Sequence, residues 1–397
     1  MAVQSTDPEA SIAPRAAEPR GRRPAVLQVL PRLDQGGVER GTVEMTGALV
    51  RAGWRAVVAS AGGRMVGEIL RAGGEHVALP LASKNPAVML LNARRLAAVI
   101  EAQRIDIIHA RSRAPAWSAM LAARRTKRHF VTTFHNAYGA ENWAKRRYNS
   151  VMARGERVIA ISRFVAAHAA ATYGVGNDRI RVIDRGVDLE NFHPDRVRPS
   201  RIVQLAEAWR LPDGAPVVML PGRLTSWKGQ EVLIEALSWL GRRDVVCLFI
   251  GSGSTRYRKT LEQQIGALGL ADLCRFVDHC ADMPAAYMLA DIVVSASTRP
   301  EGFGRVIAEA LAMGRPVIAT EHGGAGEIVV PGITGWLTPP GDAKALARMM
   351  QEALSLDTAD RAALAARATA SVAGRFSRDV MTQKTIAVYE EILWGES

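Results

Sequence analysis

Short apolar runs alternate with longer segments whose apolar positions recur three and four residues apart, from about residue 24 almost to the end of the chain. The runs read as strands and the longer segments as amphipathic helices. In the first half the strand candidates are AVLQVL (Ala25 to Leu30), AVVAS (Ala56 to Ser60), DIIHA (Asp106 to Ala110), FVTTF (Phe130 to Phe134) and RVIAIS (Arg157 to Ser162). Between them lie stretches such as PAVMLLNARRLAAVIEAQ, with helical spacing. Strand and helix in alternation predict βαβ units and a parallel sheet.

RIRVIDRGVDLENFHP closes this half, and a polar, Arg-rich stretch follows to about Pro212. The pattern then restarts with PVVML (Pro216 to Leu220), VVCLFIG (Val245 to Gly251), CRFV (Cys274 to Val277), DIVVSA (Asp291 to Ala296) and PVIAT (Pro316 to Thr320). The predicted class is α/β, with two doubly wound Rossmann-like domains facing a cleft. The divisions are a disordered tail at 1–23, domains at 24–200 and 201–375, and a C-terminal helix at 376–397 that packs back on the first domain. A chain of 397 residues, 48% hydrophobic, suits two domains better than one.

Doubly wound sheets bind ligands at the carboxyl ends of their strands, so the segments that follow strands carry the candidate chemistry. TRPEGFGRVIAEALAMG follows DIVVSAS. Gly302 and Gly304, around Phe303, let the backbone approach a ligand, and the next helix begins with free N–H groups suited to phosphate. Glu309 stands five residues past Gly304, about 7.5 Å along a helix at about 1.5 Å per residue. That is the reach from a phosphate to a ribose, whose hydroxyls a carboxylate accepts. Glu301, in the loop, reaches hydroxyls on the other side. Either glutamate alone reads as a solvated carboxylate; the pair around Gly-Phe-Gly reads as a ligand site.

LPGRLTSWKGQEVLIEAL places Arg223 and Lys228 on another strand-to-helix turn, where a diphosphate can be neutralised without metal, although by themselves the two read as solvent-facing cations. The order of residues is not that of a P-loop. LPRLDQGGVER sets Gly36 and Gly37 between the first strand and first helix. GSGSTR, opening at Gly251, is half a dinucleotide fingerprint, with Arg256 where the third glycine belongs. Two histidines stand at strand ends, His109 and His135, each able to bond a substrate hydroxyl or to serve the fold. The chain has no DxD and no His/Cys cluster with metal-ligand spacing, so no metal and no cofactor are expected. Cys247, Cys274 and Cys280 have no CxxC spacing and read as free thiols.

Charge divides unevenly. Residues 1–200 hold 31 Lys and Arg against 17 Asp and Glu, a balance of +14; residues 201–397 hold 20 against 22, or −2. The basic clusters are Arg124, Arg125, Lys127 and Arg128, and Lys145, Arg146 and Arg147. They suggest an anionic partner on the acceptor side, a membrane surface or phosphorylated lipid, against the alternative of a solvated face. Few aromatics interleave with the basic residues, which argues against nucleic acid. No apolar run reaches the length of a membrane span, and the N-terminus lacks the apolar centre of a secretory signal. The expected location is cytoplasmic, peripheral on the inner face of the membrane.

Taken together, the GG turn, TFH at His135, GVDLENFHP, GRLTSWKG and above all EGFGRVIAE, a Glu-x7-Glu motif, resemble glycosyltransferase family 4, nucleotide-sugar enzymes of the GT-B fold. The resemblance implies that Arg223 and Lys228 bind the donor diphosphate and Glu309 the ribose. It puts Glu301 and the Gly302–Gly304 backbone on the donor sugar, His135 near the reacting carbon, and Gly36 and Gly37 opposite the phosphates. Residues 24–200 become the acceptor side and 201–375 the nucleotide-sugar side. The implied donor is a GDP- or UDP-sugar, the implied acceptor a lipid-linked or phosphorylated glycan, and the implied chemistry retains configuration without metal. IIHARSRAPAW is similar to bacterial lipopolysaccharide-core sugar transferases, including mannosyltransferases. The competing readings are a nucleotide-sugar epimerase of the same architecture and a non-catalytic protein that binds anionic polymers; a dehydrogenase would need the complete glycine fingerprint.

Overall fold

The computed structural model describes residues 22–34 and 36–395. Most of the expected tail, residues 1–21, lies outside the described residues, as do Gln35 and residues 396–397.

Two parallel sheets form the frame. The first contains β1 (Ala25–Val29), β2 (Arg55–Ser60), β3 (Glu75–Ala78), β4 (Ile107–Ala110), β5 (His129–Phe134), β6 (Arg157–Ala160) and β7 (Ile180–Val182), in the order β3-β2-β1-β4-β5-β6-β7. The second contains β8 (Val217–Pro221), β9 (Val246–Ile250), β10 (Cys274–Val277), β11 (Ile292–Ser295), β12 (Val317–Thr320) and β13 (Gly335–Thr338), in the order β10-β9-β8-β11-β12-β13. Every pairing is parallel. Strand order reverses between β1 and β4 and again between β8 and β11. These switch points are where crevices open at strand carboxyl ends.

The central strands are apolar because helices cover both faces of a parallel sheet; β1, β8 and β9 are buried along their whole length. Three strands absent from the sequence reading, β3, β7 and β13, are all edge strands. β3 and β7 bury less, so EHVA and IRV carry charge and a free apolar run never forms.

The polar stretch before Pro212 is not a bare linker. Residues Pro199–Ala208 form a helix that packs with Met283–Leu289, and Arg201 pairs with Asp282 through both carboxylate oxygens, at 2.6 and 2.7 Å. Its apolar stripe, Ile202, Leu205 and Trp209, joins the main core.

The chain then returns. Helix Thr358–Arg375 packs on Arg305–Ala312 of the second domain, and helix Arg378–Trp394 crosses to the first. Met381, Val388 and Tyr389 are buried against Val26, Met45 and Ile107. Val187 N–H donates to Phe376 O at 2.7 Å and Arg378 N–H to Val187 O at 2.8 Å, fixing the crossing point. Tyr389 OH bonds His109 Nδ1 at 2.6 Å, and His109 Nε2 bonds Thr133 Oγ1 at 2.7 Å. Both ring nitrogens of His109 are therefore engaged in the core, and burial holds its imidazole well below the usual range for protonation. Tyr389→Phe should lower stability by about 1–3 kcal/mol, since it strands a buried ring nitrogen. Denaturant unfolding of the purified variant measures this, and an unchanged midpoint would show that the contact adds nothing.

Candidate donor site in the interdomain cleft

The carboxyl ends of the two sheets meet across a cleft of about 520 Å³. Both switch points feed it. From the first domain come Gly37 and Val38 after β1, His135 and Asn136 after β5, and Arg185 beyond β7. From the second come Gly222, Arg223, Trp227 and Lys228 after β8, and the segment Pro300–Val306 with Glu309 after β11.

The segment after β11 is built by glycine. Gly304 has φ +109° and caps helix Arg305–Ala312 without a side-chain cap; its carbonyl accepts from the N–H groups of Ile307 and Ala308, and Arg305 and Val306, the first residues of the helix, line the cleft. At Gly302 a Cβ would lie 2.9 Å from His135 O, so only glycine lets the two domains approach this closely. The Phe303 ring is buried edge-on to Phe376, with centroids 5.6 Å apart, leaving its backbone on the cleft side. Two contacts hold the halves together here. Ser162 Oγ donates to Gly302 O at 2.6 Å, and Glu327 accepts from the N–H groups of Arg163 and Phe164 at 2.8 and 2.7 Å. Glu327, from the second domain, thus caps a first-domain helix, Arg163–Tyr173.

The charged side chains form two clusters. Lys228 Nζ stands 2.8 Å from each oxygen of Glu301, whose Oε1 also accepts from Ser297 Oγ. The ammonium lies over the Trp227 ring, 4.7 Å from its centroid. Glu309 is buried at 7% exposure; its Oε1 accepts from Arg305 Nε at 3.1 Å and Nη2 at 2.6 Å, and its Oε2 from Tyr287 OH at 3.1 Å. Burial and the Glu309 carboxylate push the Tyr287 phenol well above its ordinary range, so it stays a donor. His135 lines the same cleft, 3.4 Å by Nδ1 from Arg185 Nη1. Burial, with Arg185 and Arg111 adding to it, holds His135 well below the usual imidazole range, so the ring is neutral.

Most of the residues singled out in the sequence therefore share one cleft: Gly37, His135, Arg223, Lys228, Glu301, Gly302, Phe303, Gly304 and Glu309. Others stand apart. Gly36 is an exposed helix cap beside the cleft wall. Gly251 is not on the cleft lining; a Cβ there would meet Gly222 O at 2.2 Å, so it lets β9 end beneath the β8 turn and supports that turn from behind. The basic clusters also separate. Arg124, Arg125, Lys127 and Arg128 lie where helix Arg113–Thr126 ends and β5 begins, at the sheet's far end. A helix in a parallel βαβ unit runs back antiparallel to its strands, which carries its C-terminus away from the cleft. Six residues of β5, about 20 Å at about 3.3 Å each, lie between that cluster and the strand end. Lys145, Arg146 and Arg147, on helix Trp143–Asn149, follow the carboxyl end of β5 and are exposed, with Trp143 beside them. Only this second cluster is on the cleft side.

Sequence reasoning missed Arg185, Arg305 and Tyr287. Arg305 was legible, since it stands four residues before Glu309 on the same helix and pairs across that turn. Arg185 and Tyr287 reach the site only through tertiary packing.

Residues 35–191 match the glycosyltransferase family 4 profile and residues 204–370 that of glycosyl transferases group 1. A glycosyltransferase of known structure from Rickettsia africae is 38% identical, with 95% of this chain and all of that one aligned at a TM-score of 0.87. Anabaena HepE, solved in complex with UDP-glucose, is 27% identical over 92% of this chain and 99% of its own, with a TM-score of 0.81. The D-inositol 3-phosphate glycosyltransferase of Salinispora tropica is 34% identical over 61% of this chain, which spans about half, 52%, of that relative's length. The architecture is that of the two-domain GT-B glycosyltransferases. The chain belongs to glycosyltransferase family 4.

Proposed function

We propose that this protein transfers a hexose from a nucleotide-sugar to a glycan or glycolipid hydroxyl, with retention of configuration and without a required metal or cofactor. The observation that carries the reading is the Lys228–Glu301 pair beside the open helix start at Gly304, with Glu309 one turn further on in the same cleft. A diphosphate lies against Arg223, Lys228 and the first-turn N–H groups, the ribose against Glu309, and the sugar against Glu301 and His135. HepE, a similar chain bound to UDP-glucose, supports a UDP-sugar donor; a GDP-sugar is the other candidate.

In this reading the acceptor oxygen bonds to the anomeric carbon on the face from which the diphosphate departs. The bond from that carbon to the β-phosphate oxygen breaks, and the departing phosphate takes the acceptor's proton. Negative charge grows on the diphosphate, so cations fixed there stabilise the transition state more than the ground state. His135, neutral and buried, is suited to hydrogen-bond a sugar hydroxyl rather than to carry charge. Donor profiling by calorimetry with UDP, GDP, ADP and dTDP tests the reading; failure of all four to bind would end it. Because Arg223 and Lys228 supply the positive charge, turnover should survive EDTA. Activity lost to the chelator and restored by Mg²⁺ or Mn²⁺ would contradict this.

The acceptor proposal is a phosphorylated or lipid-linked glycan of the bacterial envelope, such as lipopolysaccharide core, presented at the inner membrane face. Among the described residues no helix is long and apolar enough to cross a membrane. What supports surface contact is helix Trp143–Asn149, with Trp143 77% exposed beside Lys145, Arg146 and Arg147. Each cation near an anionic surface contributes about 1 kcal/mol, screened beyond about 8 Å at physiological salt. Reversing the three charges should weaken sedimentation with anionic vesicles by tenfold or more, roughly, with donor binding unchanged. Reversal at Arg124 to Arg128, on the far side, should do less. Equal binding to neutral and anionic vesicles would remove the membrane role.

A further inference from the structure

Against the far side of His135 lies a second, smaller cavity, whose free volume of about 20 Å³ holds roughly one water. The two spaces share His135, Ile161 and Arg185 in their walls. Arg111 and Arg185 converge on the inner one, each only 5% exposed. A Cβ on Gly41 would lie 3.0 Å from Arg185 Nη1 and 3.1 Å from Arg111 Nη2, so two guanidinium groups sit side by side against helix Gly37–Arg51. Glycine at 41 is what makes room for them.

Among the described residues neither arginine has a carboxylate within ion-pair distance. Arg111 Nη1 donates to Gln28 Oε1 at 3.3 Å, and Arg185 Nη2 donates to Gly37 O. Arg111 Nε and His135 Nε2 are buried without partners. Because Arg185 Nη1 faces His135 Nδ1, that nitrogen accepts, and the imidazole proton belongs on Nε2. His109 and Thr133, on the cavity wall, are already bonded to each other. Arg305 adds a third cation nearby, its Nη1 3.5 Å from a Cβ built on Gly37. Glu44 is the carboxylate closest in influence, yet its Oε2 is itself buried without a partner, and burial raises its pKa despite Arg185 and Arg305. Burial, with Arg111 and Arg305 alongside, lowers Arg185 to about 10, so it remains charged at neutral pH. Glu44 and Glu39 offset part of the charge on Arg185, and Glu44 part of that on Arg111, without contacting either. Two buried guanidinium groups with no contact ion pair, and an unpartnered Arg111 Nε, leave room for an anion to complete the site.

We propose that this pocket receives an anionic substituent of the acceptor, a phosphate or carboxylate held by Arg111 and Arg185, with the Nε2–H of His135 kept for the donor sugar. The inference rests on the glycosyl-transfer reading and gives its acceptor a chemical class. The donor diphosphate has its own cations, Arg223 and Lys228, on the opposite domain. The inner volume admits the oxygen edge of one group rather than a sugar ring, so the rest of the acceptor lies in the main cleft, next to the reacting carbon.

The test is calorimetry with inorganic phosphate, glucose 6-phosphate, glucuronate and glucose, each with and without saturating UDP. Phosphate and the two anionic sugars should bind, glucose should not, and UDP should leave phosphate binding in place. Tighter binding of glucose 6-phosphate than of free phosphate assigns the pocket to a phosphorylated acceptor; the reverse order overturns the acceptor assignment. Arg111→Gln should weaken the anions about tenfold or more, with UDP affinity within about twofold, and Arg111→Lys should recover part of the loss. The proposal is overturned if no anion binds at millimolar concentration, if UDP displaces phosphate mole for mole, or if Arg111→Gln leaves phosphate affinity unchanged. Should Arg111→Gln fail to fold, the competition on the unmodified protein decides alone. If none of UDP, GDP, ADP and dTDP binds while phosphate binding still depends on Arg111, the donor reading fails and the anion pocket stands.

Discussion

Lys228→Ala is expected to lower turnover by about 10²–10³, the range measured when one pre-aimed donor is removed from a developing oxyanion. The ammonium is held by both oxygens of Glu301 and by the Trp227 ring, and is only 14% exposed. It therefore waits in place, with no reorganisation left for the moment when the diphosphate leaves. Ground-state binding of the nucleoside diphosphate should suffer less than turnover, because Arg223 and the helix start remain. Glu301 keeps its bond from Ser297 and is 19% exposed, so the melting temperature should move by only a few degrees. Product release measured with UDP-glucose and GDP-mannose, beside nucleotide binding, separates the two effects. A variant within about threefold of normal turnover would leave the diphosphate assignment without its principal cation. A fall in binding as large as the fall in turnover would make Lys228 a binding residue only.

How far the site was legible follows from where each part lies along the chain. Loop-plus-helix segments such as Thr298–Ala312 are continuous, so their strand end, glycines and two carboxylates declare themselves by spacing. The two sheets were equally legible at their centres, where both faces are covered and the runs are apolar. At the edges β3 and β7 escaped, because a half-exposed strand needs no unbroken apolar run; β13, GWLT, is buried but short and opens on glycine. Helix Pro199–Ala208 escaped for a related reason: its stripe is narrow, and Arg201 and Glu207 disguise it.

What no spacing reveals is pairing between distant segments. Two strand-end histidines looked alike in sequence, and the fold gives them different surroundings. His109 is closed off by Tyr389, 280 residues away, while His135 keeps a bare Nε2. The charge clusters looked alike as well, and the direction of one helix separates them by the length of a strand. Arg185 belongs to the region of a quoted motif, yet its role depends on Gly37 and Gly41 presenting a surface without side chains.

Glu309→Ala should weaken nucleoside diphosphate binding by about 1.5–3 kcal/mol, the usual worth of a hydrogen bond to a charged group. The structure adds a condition to that expectation. Glu309 Oε1 already takes two bonds from Arg305 and Oε2 one from Tyr287, and a carboxylate offers about four acceptor positions. A ribose with two hydroxyls needs two of them, so Arg305 has to yield at least one bond when nucleotide enters. Its side chain, 42% exposed, has room to turn toward the diphosphate. Removing Glu309 therefore has two opposed consequences: the ribose loses its acceptor, and Arg305 is released to meet phosphate. Comparison of a nucleoside diphosphate with its 2′,3′-dideoxy analogue isolates the first. The unmodified protein should discriminate between the two by about tenfold or more, and Glu309→Ala should bind them alike, the coupling expected when one interaction is cut from both sides. Arg305→Ala in the same cycle reports the second: it should weaken diphosphate more than free nucleoside. If the unmodified protein binds both nucleotides equally, Glu309 does not hold the ribose, and its bonds to Arg305 and Tyr287 serve only to shape the helix start.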